Sequence, residues 1–474
     1  MELLENLVNS LNGIASYILI ILLLCAGVFF TYRNKLVQFR MVPDMFKLLL
    51  EGSGHKHGVS SFQAFCISTA SRVGTGNMAG VAIAVIMGGP GAVFWMWLIA
   101  LIGSASAFVE STLAQIYKEK APNADAFVGG PAYYMEKALG NRGLGVVFSV
   151  LITICFGFVF NAVQSNTIAG AMAEAFQFDP LWVGVSLAVV TGLVIFGGVS
   201  RIAVISEVIV PIMAVAYILV VSYVLVLNFT KIPSVIAEII GGAFGFQQAA
   251  GGAIGAALMN GIKRGLFSNE AGMGSAPNAA ATANVSHPVK QGLIQTLGVF
   301  TDTLLICSAS AFLILISGEH LNGEGKEGIA LTQSALSSQV GEWGNVFLAV
   351  SVMLFAFSSV VGNYYYGESN IEFISKKKLY RYIYRAMVLG MVVFGALAKV
   401  ELVWNLADLF MALMAMTNIY AILKLSPIVA YAFRDYMEQK KKGIDPVFNP
   451  KHIGVMKGAE TWKEEWGDEI KGKR

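Results

Sequence analysis

The sequence predicts an all-α polytopic membrane protein. It reads as eleven transmembrane helices, a 5+5 inverted repeat with two broken helices plus one extra N-terminal helix. Three observations carry this. Only 13% of the 474 residues are charged and 56% are hydrophobic, with a mean hydropathy of +0.65; a soluble domain carries about 25% charge to cover its core. The charges lie between long apolar runs, as they do in a chain that crosses a bilayer repeatedly. Two of those runs are interrupted by clustered glycines and polar residues. The hydrophobicity excludes a disordered chain, and the net charge of +3 gives no sign of a nucleic-acid partner.

A span needs about 20 apolar residues. By that rule the helices lie near 16–32, 60–88, 91–117, 143–175, 181–198, 202–227, 247–283, 291–317, 343–366, 383–400 and 402–424. The stretch 41–52 (MVPDMFKLLLEG) is amphipathic and predicts a helix along the membrane surface. A second amphipathic helix is expected after the last span, over SPIVAYAFRDYMEQKKK. Short helical pieces are expected at 131–139, 232–240 and 329–338, and the tail from Gly443, with Trp462 and Trp466, reads as interfacial or soluble. Cys25, Cys66, Cys155 and Cys307 are far apart in apolar runs and read as small packing residues. The acidic start, MELLENL, is unlike the basic opening of a cleavable signal.

Loop charges give the orientation. Of the 33 Lys and Arg residues, 27 fall in one set of connections together with the C-terminus. Three (Lys231, Lys326 and Lys399) fall in the other set, and Arg72, Lys263 and Arg264 lie within spans. The positive-inside rule makes the first set cytoplasmic, with the N-terminus outside.

The second span is interrupted over Ser71–Gly80 and the seventh over Gly265–Gly274, with Pro277 just beyond. Unwound backbone at membrane depth is tolerated where it is buried or lines a cavity. Close packing through small residues is the other reading, but only these two places combine three glycines with clustered polar side chains. The breaks also correspond in position. Thr75 is 152 residues from Leu227, the end of the sixth span, and Ala271 is 153 from Lys424, the end of the eleventh. Five spans opening on a broken helix, then five more of opposite topology, is the plan of an inverted-repeat carrier with its site at the midplane. The divisions are then 1–59 (extra helix and amphipathic cytoplasmic segment), 60–228 (first repeat), 229–425 (second repeat) and 426–474 (cytoplasmic amphipathic helix and tail).

The segments TGNMAGVAIA (75–84), GGPGAVFWMW (88–97), FVESTLAQIYK (108–118), GGPAYYM (129–135) and, above all, NEAGMGSAPNAAATA (269–283) resemble the alanine/glycine:cation symporters. The similarity extends from about 60 to 430. It implies the leucine-transporter fold, sodium (Na+) as coupling ion, alanine or glycine as solute, and the plasma membrane of a prokaryote. A zwitterion needs donors for its carboxylate and acceptors for its ammonium, and the two ends of broken helices supply both. The amides of Thr75, Gly76 and Asn77 are the expected carboxylate site. Carbonyls from Phe267 through Ser268 to Glu270 are the expected ammonium site, and Gln164 is the expected further contact, on one face with Asn161. Phe267 and Met273 would wall a small pocket, with core packing as the alternative. The resemblance to leucine-type carriers also implies a sodium site from the carbonyls of Ala70, Val73 and Phe355 and the hydroxyls of Ser358 and Ser359. Those are the hard oxygens such a cation takes. A second sodium site in that fold needs an amide where this chain has Thr301-Asp302-Thr303.

Ionisable groups inside spans are functional hypotheses by default. Arg72 is expected to pair with Glu270 across the two breaks. Asp408 faces Lys263 and Arg264 on the outer side, as an outer gate or as a static pair. Glu110 and Glu207 lie toward cytoplasmic span ends and read as reaching the interface. Proton coupling through Glu270 or Asp302 is the rival within the carrier class. An embedded enzyme is disfavoured because none of His55, His57, His287, His320 and His452 lies in an apolar span. A channel is disfavoured because a continuous pore has no use for paired breaks and no TVGYG-like filter is present. Oligomeric state is not legible.

Overall fold

The computed structural model describes residues 2–51, 59–121, 126–245, 251–322, 325–454 and 458–462. His55, His57 and Trp466 lie outside them. The extra helix is α1 (Glu2–Arg33), followed by the short α2 (Val42–Leu49), which buries Met45 and Leu48 and leaves Phe46 exposed. The second span is a bent pair, α3 (Ser61–Arg72) and α4 (Gly76–Gly88), at 50°. A capping box at Ser60 and Gln63 starts α3 by satisfying two orphan amides reciprocally. Then come α5 (Gly91–Ile116), α6 (Pro131–Lys137), α7 (Arg142–Phe176), α8 (Pro180–Ile195), α9 (Gly198–Leu227) and α10 (Ile232–Phe244). The seventh span is α11 (Gly251–Asn269) and α12 (Ala276–Ala280). The chain continues through α13 (Pro288–Ser317), α14 (Ile329–Val340), α15 (Trp343–Ile374), α16 (Lys378–Leu397) and α17 (Val400–Lys441).

Among the described residues each apolar run read from the sequence falls largely on helix, and the run read at 247–283 is described from 251, with a turn at 270–275. Among the described residues seven helices are long and apolar enough to cross a membrane, or eight counting the bent pair. The 16 residues of α8 fall short in length, while α11 and α16 carry charges within their runs. The three short pieces appear as α6, α10 and α14.

Two expectations are corrected. The amphipathic stretch after the last span is no separate element, because α17 runs unbroken for 42 residues through Pro427. The tail, read as interfacial or soluble, packs against the helices where it is described. The Phe448 amide donates to the Ser286 carbonyl at 2.8 Å, and Trp462 is buried, its indole N–H donating to the Gln115 carbonyl at 2.9 Å. The reason is apolar: Phe448 and Trp462 meet at 5.0 Å and bury each other against the ends of α5 and α13.

Around the two breaks pack α5, α13 and α15. Three helices widen into π-helical turns beside them, at Gly76–Gly80, Thr153–Phe160 and Phe300–Cys307. Such turns disrupt regular packing and recur at functional sites. Here they carry Asn77, Phe160 and Asp302.

Candidate substrate and cation site at the paired breaks

The first break is where the sequence places it. After Arg72 the chain turns through Val73 and Gly74, and two of the freed amides find neutral oxygens. Gly74 N–H donates to Asn77 Oδ1 at 2.8 Å, and Thr75 N–H to Gln164 Oε1 at 3.1 Å. Gly74 is obligatory, since a Cβ there would collide with Ser359 Oγ and stand 2.9 Å from Gln164 Oε1. Gly76 lies against Phe267 and Ser268.

The second break begins later than expected. The helix runs through Gly265, Phe267 and Ser268 to Asn269. It ends at Glu270, which has φ +58°, with its amide still bonded to the Leu266 carbonyl at 2.9 Å. Gly265 serves contact instead: a Cβ there would stand 2.7 Å from Ile99 of α5. Phe267 and Ser268 are therefore last-turn helical residues, whose carbonyls point past the helix end.

Between the breaks the side chains interlock. Asn77 Nδ2 donates to Asp302 Oδ1 at 2.7 Å and lies 3.0 Å from Ser268 Oγ. Ser268 and Thr303 hydroxyls each donate to Asp302 Oδ2 at 2.8 Å. Cys307, read as a packing residue, joins them, with Sγ 3.1 Å from Ser268 Oγ and 3.3 Å from Asn77 Nδ2. Asp302 is thus at the centre of the site rather than merely beside it, and the Asn77 side chain is engaged there.

The residues of the expected sodium site come together from α3 and α15. Ser359 Oγ lies 2.8 Å from the Ala70 carbonyl, 3.1 Å from that of Phe355 and 3.3 Å from that of Val73. The Ser358 hydroxyl donates to the Phe355 carbonyl at 2.7 Å. All five residues are buried, and their oxygens are the donor set a hard cation takes.

The Arg72–Glu270 pair is not formed. Successive helical residues point about 100° apart. Ser71 therefore faces the second break, donating to Glu270 Oε1 at 2.6 Å, while the Ser275 hydroxyl donates to Oε2 at 2.5 Å. Arg72 turns to α13, where Gly298 leaves it room and the Gln295 carbonyl accepts from Nη1 at 3.4 Å.

Above the breaks Phe267 is boxed by Phe160 at 4.4 Å and Trp404 at 4.6 Å between ring centres. Arg264 lies over Trp404 at 4.7 Å and forms a buried ion pair with Asp408, with Lys263 Nζ 3.7 Å from the same carboxylate. Met273 is not brought into this box. It is buried in the turn between Gly272 and Gly274. Phe160 and Trp404 went unread in the sequence, although Trp404 lies one turn before Asp408, a spacing that puts both on one face.

Two broken helices meeting over hard oxygens and free helix ends are the features of a secondary carrier. The chain belongs to the sodium:alanine symporter family, whose model matches residues 1–450. It is a transport protein of the membrane, not an enzyme. It is 56% identical to the "Probable sodium/glutamine symporter GlnT" of Bacillus subtilis (strain 168), over 97% of this chain and 96% of that protein. It is 53% identical to the "Amino-acid carrier protein AlsT" of the same organism, over 97% and 99%. It is 36% identical to the "Sodium/proton-dependent alanine carrier protein" of Bacillus sp. (strain PS3), over 90% and 100%.

Proposed function

We propose that this symporter imports a small neutral amino acid, alanine or glycine, together with sodium, by alternating access across a prokaryotic plasma membrane. The N-terminus would lie outside and the C-terminus in the cytoplasm. The observation that carries the reading is the opposition of the Thr75 amide, held only by the neutral Gln164 oxygen, to the carbonyl end of α11. The Thr75 and Gly76 amides would take the solute carboxylate as Gln164 gives way. The carbonyls of the last turn of α11, from Phe267 to Asn269, would take the ammonium. Sodium among Ala70, Val73, Phe355, Ser358 and Ser359 would tie the broken α3 to α15 and so order the carboxylate site. Binding would then favour the arrangement with Arg264 and Asp408 paired over the aromatic box, because a ligand shifts an equilibrium only through contacts that differ between its states.

Two observations support alternatives. Identity of 56% to a protein named for glutamine supports a larger solute on the same backbone contacts. The buried Asp302 carboxylate, ringed by Asn77, Ser268 and Thr303, supports a second cation, sodium or a proton. Uptake of labelled alanine, glycine and glutamine into proteoliposomes separates them, with sodium or potassium outside and the pH gradient set independently. Saturable alanine or glycine uptake that stops in potassium is expected. Glutamine-only uptake, or uptake that follows the pH gradient without sodium, replaces this reading with the corresponding alternative.

A further inference from the structure

Glu110 of α5, which the sequence places toward the end of its span, is fully buried. Its two carboxylate oxygens receive three donors. Gly272 N–H donates to Oε1 at 3.1 Å, Gly274 N–H to Oε2 at 3.1 Å, and Asn418 Nδ2 to Oε2 at 2.7 Å. Asn418 is braced in turn, its Nδ2 2.9 Å from the Gly272 carbonyl and its Oδ1 accepting from the Tyr134 hydroxyl. The amides converge because Gly272 and Gly274 both have positive φ, +83° and +88°. Alternating conformations of this kind turn neighbouring N–H groups to one side and make a concavity that holds an anion. Among side chains only an ionised carboxylate accepts at both oxygens without donating. The concavity is also tight, since a Cβ at Gly274 would stand 2.9 Å from Asn418, Phe148 and Pro131.

We propose that Glu110 is a built-in anion and a positioning residue for transport. It locks the unwound segment after Glu270 so that the carbonyl end of α11 is aimed at the solute, and a small free anion can take its place when it is removed. The solute part rests on the carrier function proposed above; the anion part does not.

The test compares the parent, Glu110→Ala and Glu110→Gln, purified and reconstituted, in chloride, formate or gluconate. The thermal midpoint of Glu110→Ala should rise when chloride or formate replaces gluconate, while the parent stays unchanged. Solute uptake by Glu110→Ala in gluconate should fall about tenfold or more, the scale of losing hydrogen bonds to a charged group, and be partly regained in chloride. Glu110→Gln still fills the space but points a donor at donors, so it should show a raised KM, a smaller change in kcat and no anion response. An anion-insensitive Glu110→Ala, in both midpoint and uptake, overturns the proposal. If Glu110→Ala does not fold, Glu110→Gln decides: a raised KM supports the proposal and a parental KM overturns it. Should the parent carry none of the tested amino acids, the solute assignment fails and the midpoints still decide the role of Glu110.

Discussion

The two breaks solve the same problem with opposite chemistry. Each frees backbone amides at membrane depth, where an unpaired N–H is costly. At the first break the partners are neutral amide oxygens, Asn77 Oδ1 and Gln164 Oε1. At the second, Ala271 N–H also takes a neutral oxygen, Asn269 Oδ1 at 3.0 Å, but Gly272 and Gly274 donate to the two oxygens of a carboxylate, Glu110. A hydrogen bond to a charged group is roughly twice as strong as one between neutral groups. On the function proposed above, the first break is then the one whose amides an incoming carboxylate would claim, with the second held as a fixed turn. Glycine is needed at both, for closeness to Ser359 at Gly74 and for backbone shape at Gly272 and Gly274.

Four pairs of substitutions break or sharpen this comparison. The largest effect is expected at the Arg264–Asp408 ion pair of α11 and α17. Asp408→Ala would leave Arg264 and Lys263 buried without their carboxylate, costing about 3–5 kcal/mol of stability, to be read by thermal or denaturant unfolding. Arg264→Ala should cost less, because Lys263 remains 3.7 Å from Asp408; equal losses would mean that Lys263 gives no compensation.

Next in size is Gln164→Glu, which gives the first break the chemistry of the second. A fixed negative charge 3.1 Å from the Thr75 amide should repel a solute carboxylate. The cost of a like-charge juxtaposition is several kcal/mol, so uptake should fall by about a hundredfold or more. Gln164→Ala should be milder. A parental KM in Gln164→Glu would show that the solute does not use this amide.

The sodium assignment gives a smaller, graded effect. Ser359 reaches three carbonyls and Ser358 one. Ser359→Ala should therefore raise the sodium concentration for half-maximal uptake by about tenfold, roughly the worth of one ligand hydroxyl, and Ser358→Ala by less. Reversal of that order would move the ion elsewhere, with Asp302 the next position to test.

The smallest effect is expected on solute selectivity from Met273→Ala. This side chain belongs to the Glu110 turn, so the ratio of leucine to alanine in competition assays should stay at the parental value. Phe267→Leu, inside the aromatic box, should shift it by about 0.8 kcal/mol for each methylene newly accommodated. A selectivity change in Met273→Ala alone would place Met273 in the pocket after all.

Much of this was legible in the chain. Apolar length located the long helices, because a bilayer requires about 20 such residues wherever the span lies. Glycine and polar clustering located both breaks to within a few residues. The resemblance to leucine-type carriers implied the Ala70, Val73, Phe355, Ser358 and Ser359 cluster, and those residues do meet. Besides the second amphipathic stretch, the tail, Met273 and Cys307, three readings differ from the structure for identifiable reasons. Arg72 and Glu270 have opposite charges and nearby positions, but helix phase turns Ser71, not Arg72, toward the carboxylate. Gly265 looked like the start of the break, though it is a contact point with α5. Glu110 sits toward the end of its span in sequence, yet the packing of α5 against the unwound segment places it at a fully buried junction.

The sequence by itself determined the class: a helical membrane protein with two paired, broken spans, because hydropathy and glycine spacing act locally and along the chain. Only the tertiary structure decided which side chains answer the freed amides. Asn77 reaches Gly74 within its own turn, whereas Gln164 comes from 89 residues away and Glu110 from 162. Such partnerships depend on helix rotation and depth across a packed interface, where a shift of one residue turns a side chain by about 100°. That rotation is set by the neighbours of each helix, and no periodicity within the helix itself encodes it.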